Sequence, residues 1–236
     1  MVVLRRGREV RDVSGYGQFC PVSKAMELLD ERWTMLVVRE LLLGSSHFNE
    51  LRRGVPKMSP ALLSKRLKSL TRAGVVRRVE ADGRTTYFLT DSGRELGEVV
   101  EALGRWGVRW VGELGEEDLD PHLLMWDIHR TIAVDAWPRS RTTVAFRLDG
   151  VTTRASRWWL VVADGAADVC DFDPGHDVAG TVETSLRTLT RIWRGDVDWT
   201  RALLEGSVAV SGPIEVRRAI PDWIGQAPSA AVPRPA

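Results

Sequence analysis

The stretch 44-GSSHFNELRRGVPKMSPALLSKRLKSLTRAGVVRRVEADGRTTYFL-89 decides the fold of the first half of this chain. His47 to Arg53 reads as a short helix with Phe48 and Leu51 facing inward, and Gly54-Val55-Pro56 as the turn after it. Ser59 is placed to cap a second helix, with Pro60 at its first position, where a missing N–H costs nothing. Leu62, Leu63, Leu67 and Leu70 follow the 3.6-residue period and predict its anchored side; Ser64, Lys65, Lys68, Ser69 and Arg72 fall on the other sides. Gly74 ends the helix. Val75–Val79 and Arg84–Leu89 read as strands joined at Ala81-Asp82-Gly83, since Asp-Gly favours a tight hairpin turn. Between Gly44 and Arg78 stand nine basic residues and one acid, Glu50, a net of 9 − 1 = +8 in a chain whose formal charge is +1. Helix, turn, helix and hairpin in that order, with concentrated positive charge, predict a winged helix-turn-helix that meets a polyanion.

Working outward, Val22–Asp30 and Trp33–Leu43 read as the preceding helices, the second apolar almost all round and therefore buried. Thr90 restarts a helix after the hairpin. Leu96, Val100, Leu103, Trp106 and Trp110 recur along it, with Val99, at three- and four-residue steps, a stripe that so small a unit cannot bury alone. These residues are expected to pack on a second copy of the chain.

In-order motifs then point to a family. Cys20-Pro21, Glu31-Arg32-Trp33, Arg39-Glu40-Leu41, Phe48-Asn49-Glu50-Leu51, Met58-Ser59-Pro60-Ala61-Leu62-Leu63-Ser64-Lys65-Arg66-Leu67, Gly74-Val75-Val76 and Tyr87-Phe88-Leu89-Thr90 resemble the HxlR-type winged-helix transcriptional regulators over about residues 16–112. The resemblance implies a homodimer that binds double-stranded DNA at a roughly palindromic operator and usually represses. Ser59, Ser64, Lys65 and Lys68 are the expected base-proximal residues, with Arg52, Arg53, Lys57, Arg77 and Arg84 on phosphates. Cys20 is a candidate redox sensor because relatives sense oxidants at this position; the alternative is a half-buried thiol at a dimer contact. The short tip Ala81-Asp82-Gly83-Arg84 departs from the longer, proline-containing wing of many members.

The 236 residues divide by charge: residues 1–115 carry 20 basic and 14 acidic side chains, residues 116–236 carry 13 and 18. The switch lies in a Gly- and acid-rich stretch ending at Pro121. The expected organisation is a flexible tail (1–15), the DNA-binding and dimerisation domain (16–114), a linker (115–124), a second domain (125–225) and a disordered tail (226–236). No apolar run is long enough to span a bilayer, the N-terminus has no apolar core of a signal peptide, and two distant cysteines suit a reducing compartment. The chain is thus expected in the cytoplasm, on the nucleoid, without a membrane partner.

The second half reads as α+β. Strands are expected at Arg141–Leu148, Arg157–Ala163, Ala167–Phe172, Gly180–Thr184 and Ser207–Ser211, and helices at Ser185–Trp193, Trp199–Leu204 and Ile214–Ile224. Thr181-Val182-Glu183-Thr184, Gly195-Asp196, Ala202-Leu203-Leu204-Glu205-Gly206 and Ser207-Val208-Ala209-Val210-Ser211-Gly212 resemble the sterol-carrier-protein-2 (SCP2)-like fold. That resemblance implies an apolar tunnel for a small hydrophobic ligand. Trp126, Ile128, Trp137, Trp158, Trp159, Ile192, Trp193 and Leu203 are the candidate lining, with plain core packing as the competing reading. No phosphate loop, zinc spacing or nucleophile elbow is present, and the four histidines lack ligand spacing. Neither an enzyme nor a bound cofactor or metal is expected. The competing functional class is a hydrophobic-ligand carrier whose helical half is an oligomerisation module.

Overall fold

The computed structural model describes residues 15–111 and 114–234; the first fourteen residues of the expected N-terminal tail lie outside them. The first unit contains α1 (Pro21–Leu29), α2 (Thr34–Leu42), α3 (Phe48–Gly54), α4 (Pro60–Arg72), the hairpin β1 (Val76–Ala81) and β2 (Arg84–Leu89), and the long α5 (Asp91–Trp110). Local chemistry sets the boundaries. The Ser59 hydroxyl accepts from the Leu62 N–H at 3.3 Å, capping α4 ahead of Pro60. The Glu50 carboxylate accepts from the Ser46 and His47 N–H groups at 2.8 and 2.9 Å, closing the entrance of α3. Asp82 and Gly83 both take positive φ, 51° and 72°, as a two-residue hairpin turn requires. The core of this unit joins Val37, Val38 and Leu41 of α2, Leu51 of α3, and Leu63, Leu67 and Leu70 of α4. α2 is not buried all round: Leu36 is exposed, as is Leu43 just past its end.

The second unit contains α6 (Pro121–Thr131), β3 (Thr142–Asp149), β4 (Arg157–Ala163), β5 (Ala166–Cys170), β6 (Val178–Ser185), α7 (Leu186–Trp193), α8 (Trp199–Leu204), β7 (Val208–Ser211) and α9 (Ile214–Ile224). Its sheet has the order β5-β4-β3-β6-β7, antiparallel except for the parallel β3–β6 pair. Strand alternation sends Val144, Phe146, Leu148, Trp158, Leu160, Val162 and Val182 to one face, where helices α6, α7, α8 and α9 cover them. This is a core separate from that of the first unit.

Two expectations differ from the structure. Residues 115–124 are not a bare linker: Glu116–Asp118 forms a 3-10 turn, and α6 starts at Pro121 behind an Asp120 cap that accepts from His122 and Leu123. The described part of the expected disordered C-terminal tail is also tied down. The Ala227 N–H donates to the Trp193 carbonyl at 2.7 Å, and Arg234 pairs with Asp196 at 2.5 Å.

Helix α6 joins the two units, packing on α3 on one side and on β5 and α7 on the other. Across that seam Arg130 reaches the fully buried Glu40 of α2, with Nη1 at 2.6 Å from Oε2 and Nη2 at 3.2 Å from Oε1. Arg39 holds the same carboxylate at 2.6 Å and also donates to the Gly54 carbonyl. A Cβ on Gly54 would lie 1.7 Å from Glu40 Oε2, so the end of α3 approaches this carboxylate in a way only glycine permits.

Candidate nucleic-acid interface

Helix α4 presents two opposed sides. Leu63, Leu67 and Leu70 are buried, whereas Lys65 and Lys68 are exposed. Neither lysine has a hydrogen-bond or ion-pair partner among the described residues. Ser59 and Arg72 are exposed at the two ends of the helix and Ser64 is half-buried. The hairpin adds exposed Arg84 at its tip and Arg77, whose guanidinium lies 5.7 Å over the Phe88 ring. Arg52 is exposed on α3.

Four basic residues counted in the positive stretch are otherwise engaged, among them Arg78, which pairs with Glu80. Arg66 is buried; its Nε donates to the Arg32 carbonyl at 3.2 Å and its guanidinium pairs with Glu31, so it braces α4 on the α1–α2 connection. Arg53, expected on a phosphate, lies 5.1 Å over the Trp126 ring of α6. Lys57, also expected on a phosphate, donates to the Glu117 carbonyl in the link between the units. Arg53 and Lys57 remain exposed, so the cations without such contacts to the second unit are those of α4, the hairpin and Arg52.

The stripe on α5 divides. Leu96 and Val100 are half-buried against the core of their own unit, while Val99, Leu103, Trp106 and Trp110 are exposed. Phe19, Val22 and Met26 beside and on α1 are exposed too, and α1 buries no residue. Cys20 stands at the N-cap of α1, half-buried and not in a disulfide.

The eight candidate tunnel residues do not surround one space. Ile128 and Ile192 are close-packed in the core with Trp193, and Trp137 stacks on Trp223 at 4.9 Å while donating to its carbonyl. Trp159 follows Trp158 along β4 and so points to the opposite face of the sheet, and Leu203 is exposed. Trp126 and Trp158 do meet at one cleft of about 110 Å³, with Arg53, His122, Val169 and Asp171.

Sequence reasoning missed Asp127, His129 and Arg130, which lie on the joining helix. Burial pushes the Asp127 carboxyl above its usual value even though Arg130 and Arg39 pull it down. Burial likewise holds the His129 ring below its ordinary value, with the Arg130 and Arg53 cations adding to the effect and the Trp126 carbonyl and Asp168 opposing it. No helix among the described residues is long and apolar enough to cross a membrane, and they contain no cluster of three or more metal-ligating side chains.

The first unit is similar to known proteins. Residues 28–114 match the HxlR-like helix-turn-helix family model. The chain is 38% identical over 98 residues to the HTH-type transcriptional regulator YvaP of Bacillus subtilis (strain 168), covering 40% of this chain and 91% of that protein. It is 35% identical over 98 residues to the HTH-type transcriptional regulator sll1512 of Synechocystis, covering 40% and 73%. Among solved structures, the transcription factor PA1607 matches with a TM-score of 0.39 at 29% identity, over 42% of this chain and 71% of that one. Through its first unit the chain belongs to the HxlR-like helix-turn-helix family of DNA-binding transcriptional regulators.

Proposed function

We propose that the protein is a homodimeric repressor that reads a palindromic operator with α4. The observation that carries this reading is the pair of exposed lysines on a serine-capped helix whose opposite side is anchored in the core. An α-helix fits the major groove of B-DNA, and residues along its free side reach base edges. Lys65, Lys68, Ser59 and Ser64 would occupy that position, with Arg52, Arg77 and Arg84 on flanking phosphates. Arg53 and Lys57 act instead in the seam between the units. Dimerisation would use the exposed end of the α5 stripe, Val99, Leu103 and Trp106, together with Phe19, Val22 and Met26. Two reading helices then meet half-sites about one helical turn apart, roughly 10 base pairs.

The second unit, whose sequence motifs resemble the SCP2-like fold, would serve as a regulatory attachment. Its own contacts run through α6 to α3, the first helix of the reading motif, so a ligand that shifts α6 would act on DNA binding. The Trp126–Trp158 cleft is the place where a small hydrophobic effector would be felt by Arg53 of α3. The carrier alternative gives no reason for uncommitted lysines on α4.

The test is selection from a pool of random duplexes with the purified full chain. Enrichment of one inverted repeat with half-sites a turn apart is expected. A pool that stays random through successive rounds would contradict the proposal.

A further inference from the structure

A groove of about 780 Å³ opens between the end of α5, helix α7 and the C-terminal segment 226–234, here called the strap, well away from the lysines of α4 in sequence. Its making is local. In Leu186-Arg-Thr-Leu-Thr-Arg-Ile-Trp193, the buried Leu186, Leu189, Ile192 and Trp193 take one side of α7. The i, i+4, i+7 spacing then sets Arg187, Arg191 and Arg194 together along the other side. Arg109 of α5 and Arg234 of the strap complete the rim. The strap is seated closely: a Cβ on Gly195 would lie 2.7 Å from Ala230, and the Arg234 guanidinium donates to the Arg194 carbonyl at 3.1 Å.

Five guanidinium groups thus line one groove, with Asp196 the single carboxylate among its described lining residues and Glu116 paired with Arg187 beside it, a formal 5 − 2 = +3 among these described residues. Asp196 orients Arg194 and Arg234 at 3.3 and 2.5 Å, and Arg187 is steadied by Glu116 and the Leu114 carbonyl at 2.6 and 3.0 Å. Arg191 and Arg109 have no carboxylate partner among the described residues. Forks held in place before a ligand arrives lose little freedom on binding, and guanidinium is the side chain best suited to phosphate oxygens. Trp110 and Val111 give the groove an apolar wall beside the cations.

We propose that this groove is a binding site for an organic polyphosphate of nucleotide size, its phosphates on the arginines and its organic part against Trp110 and Val111. The volume falls within the roughly 300–1,000 Å³ of small-molecule sites. Several guanidinium groups side by side suit the multiple charges of a polyphosphate, whereas a fatty acid, with one carboxylate, would leave most of them unmatched. The ligand would bridge the α5 helix of the first unit to α7 of the second.

The experiment is calorimetric titration of the full chain, without DNA, using ATP, inorganic triphosphate and oleate as probes. ATP is expected to bind saturably at one site per chain and more tightly than inorganic triphosphate. Removing Arg109 and Arg191 together (Arg109→Ala with Arg191→Ala), neither of them in an ion pair, should weaken ATP at least about tenfold, since charge-assisted hydrogen bonds to its phosphates are lost. Lys65→Ala with Lys68→Ala should leave it unchanged. Absence of saturable ATP binding, oleate bound in its place, or a loss that follows the α4 variant would overturn the site; triphosphate binding as tightly as ATP would overturn the organic half of the assignment. Because no DNA is present, failure here leaves the operator reading standing, and failure there leaves the groove standing.

Discussion

Glu40 shows how much a single residue can hide from a sequence. It sits in an apolar helix as part of a family motif, and nothing nearby announces a partner 90 residues away. In the structure it is fully buried between Arg39 and Arg130, with Gly54 closed against it. Burial costs all three charges their hydration, so the arrangement stands only while each is matched. Arg130→Ala would leave a buried carboxylate facing a half-occupied site, and a loss of about 3–5 kcal/mol is expected in chemical denaturation. His129, one residue away, makes the same seam sensitive to acid. Its folded-state pKa lies below the usual 6.5, so the unfolded chain takes up a proton first as pH falls. Its contribution to stability is complete above about 6.5 and declines below it until the folded value is reached. Thermal melts between neutral and mildly acidic pH should show that decline, and His129→Gln should flatten it. An unchanged slope in the variant would mean that another group is responsible.

At the scale of elements, what is written locally is legible. The Ser59-Pro60 start of α4, its leucine period, the Asp82-Gly83 turn and the strands of the second unit all follow from short-range rules, and each stands within a residue or two of its expected place. α6 escaped although Asp120-Pro121 carries the same capped-proline start as Ser59-Pro60, because the acid-rich approach to it resembles spacer. The α5 stripe was legible as apolar but not as divided, since only the packing shows that Leu96 and Val100 serve their own unit. Likewise the tryptophans of the second unit announce a core; whether aromatic residues enclose a tunnel depends on which sheet face each takes, as Trp158 and Trp159 show. The exposed end of α5 makes its own prediction. Leu103→Glu with Trp106→Glu should convert a dimer to a monomer in sedimentation while circular dichroism stays unchanged, because these side chains are already in water within one chain. A variant that sediments like the parent would place the dimer contact elsewhere.

For the molecule as a whole, two cores are joined through α6, with further contacts from Lys57 to the Glu117 carbonyl and from Arg109 to the Pro233 carbonyl. The total charge of +1 conceals the positive charge of the first unit; the distribution reveals it, and the structure places Arg66 inside while Arg53 and Lys57, still exposed, also touch the second unit and the link to it. The proposed reading element is α4. It is tested most directly by fluorescence anisotropy with the duplex selected by the parent protein, comparing the parent with Lys65→Ala, Lys68→Ala at fixed salt. Loss of the selected sequence's affinity by roughly tenfold or more is predicted, with unchanged melting temperature, since each such contact contributes about 1–3 kcal/mol. Equal affinity of parent and variant for that duplex would contradict it.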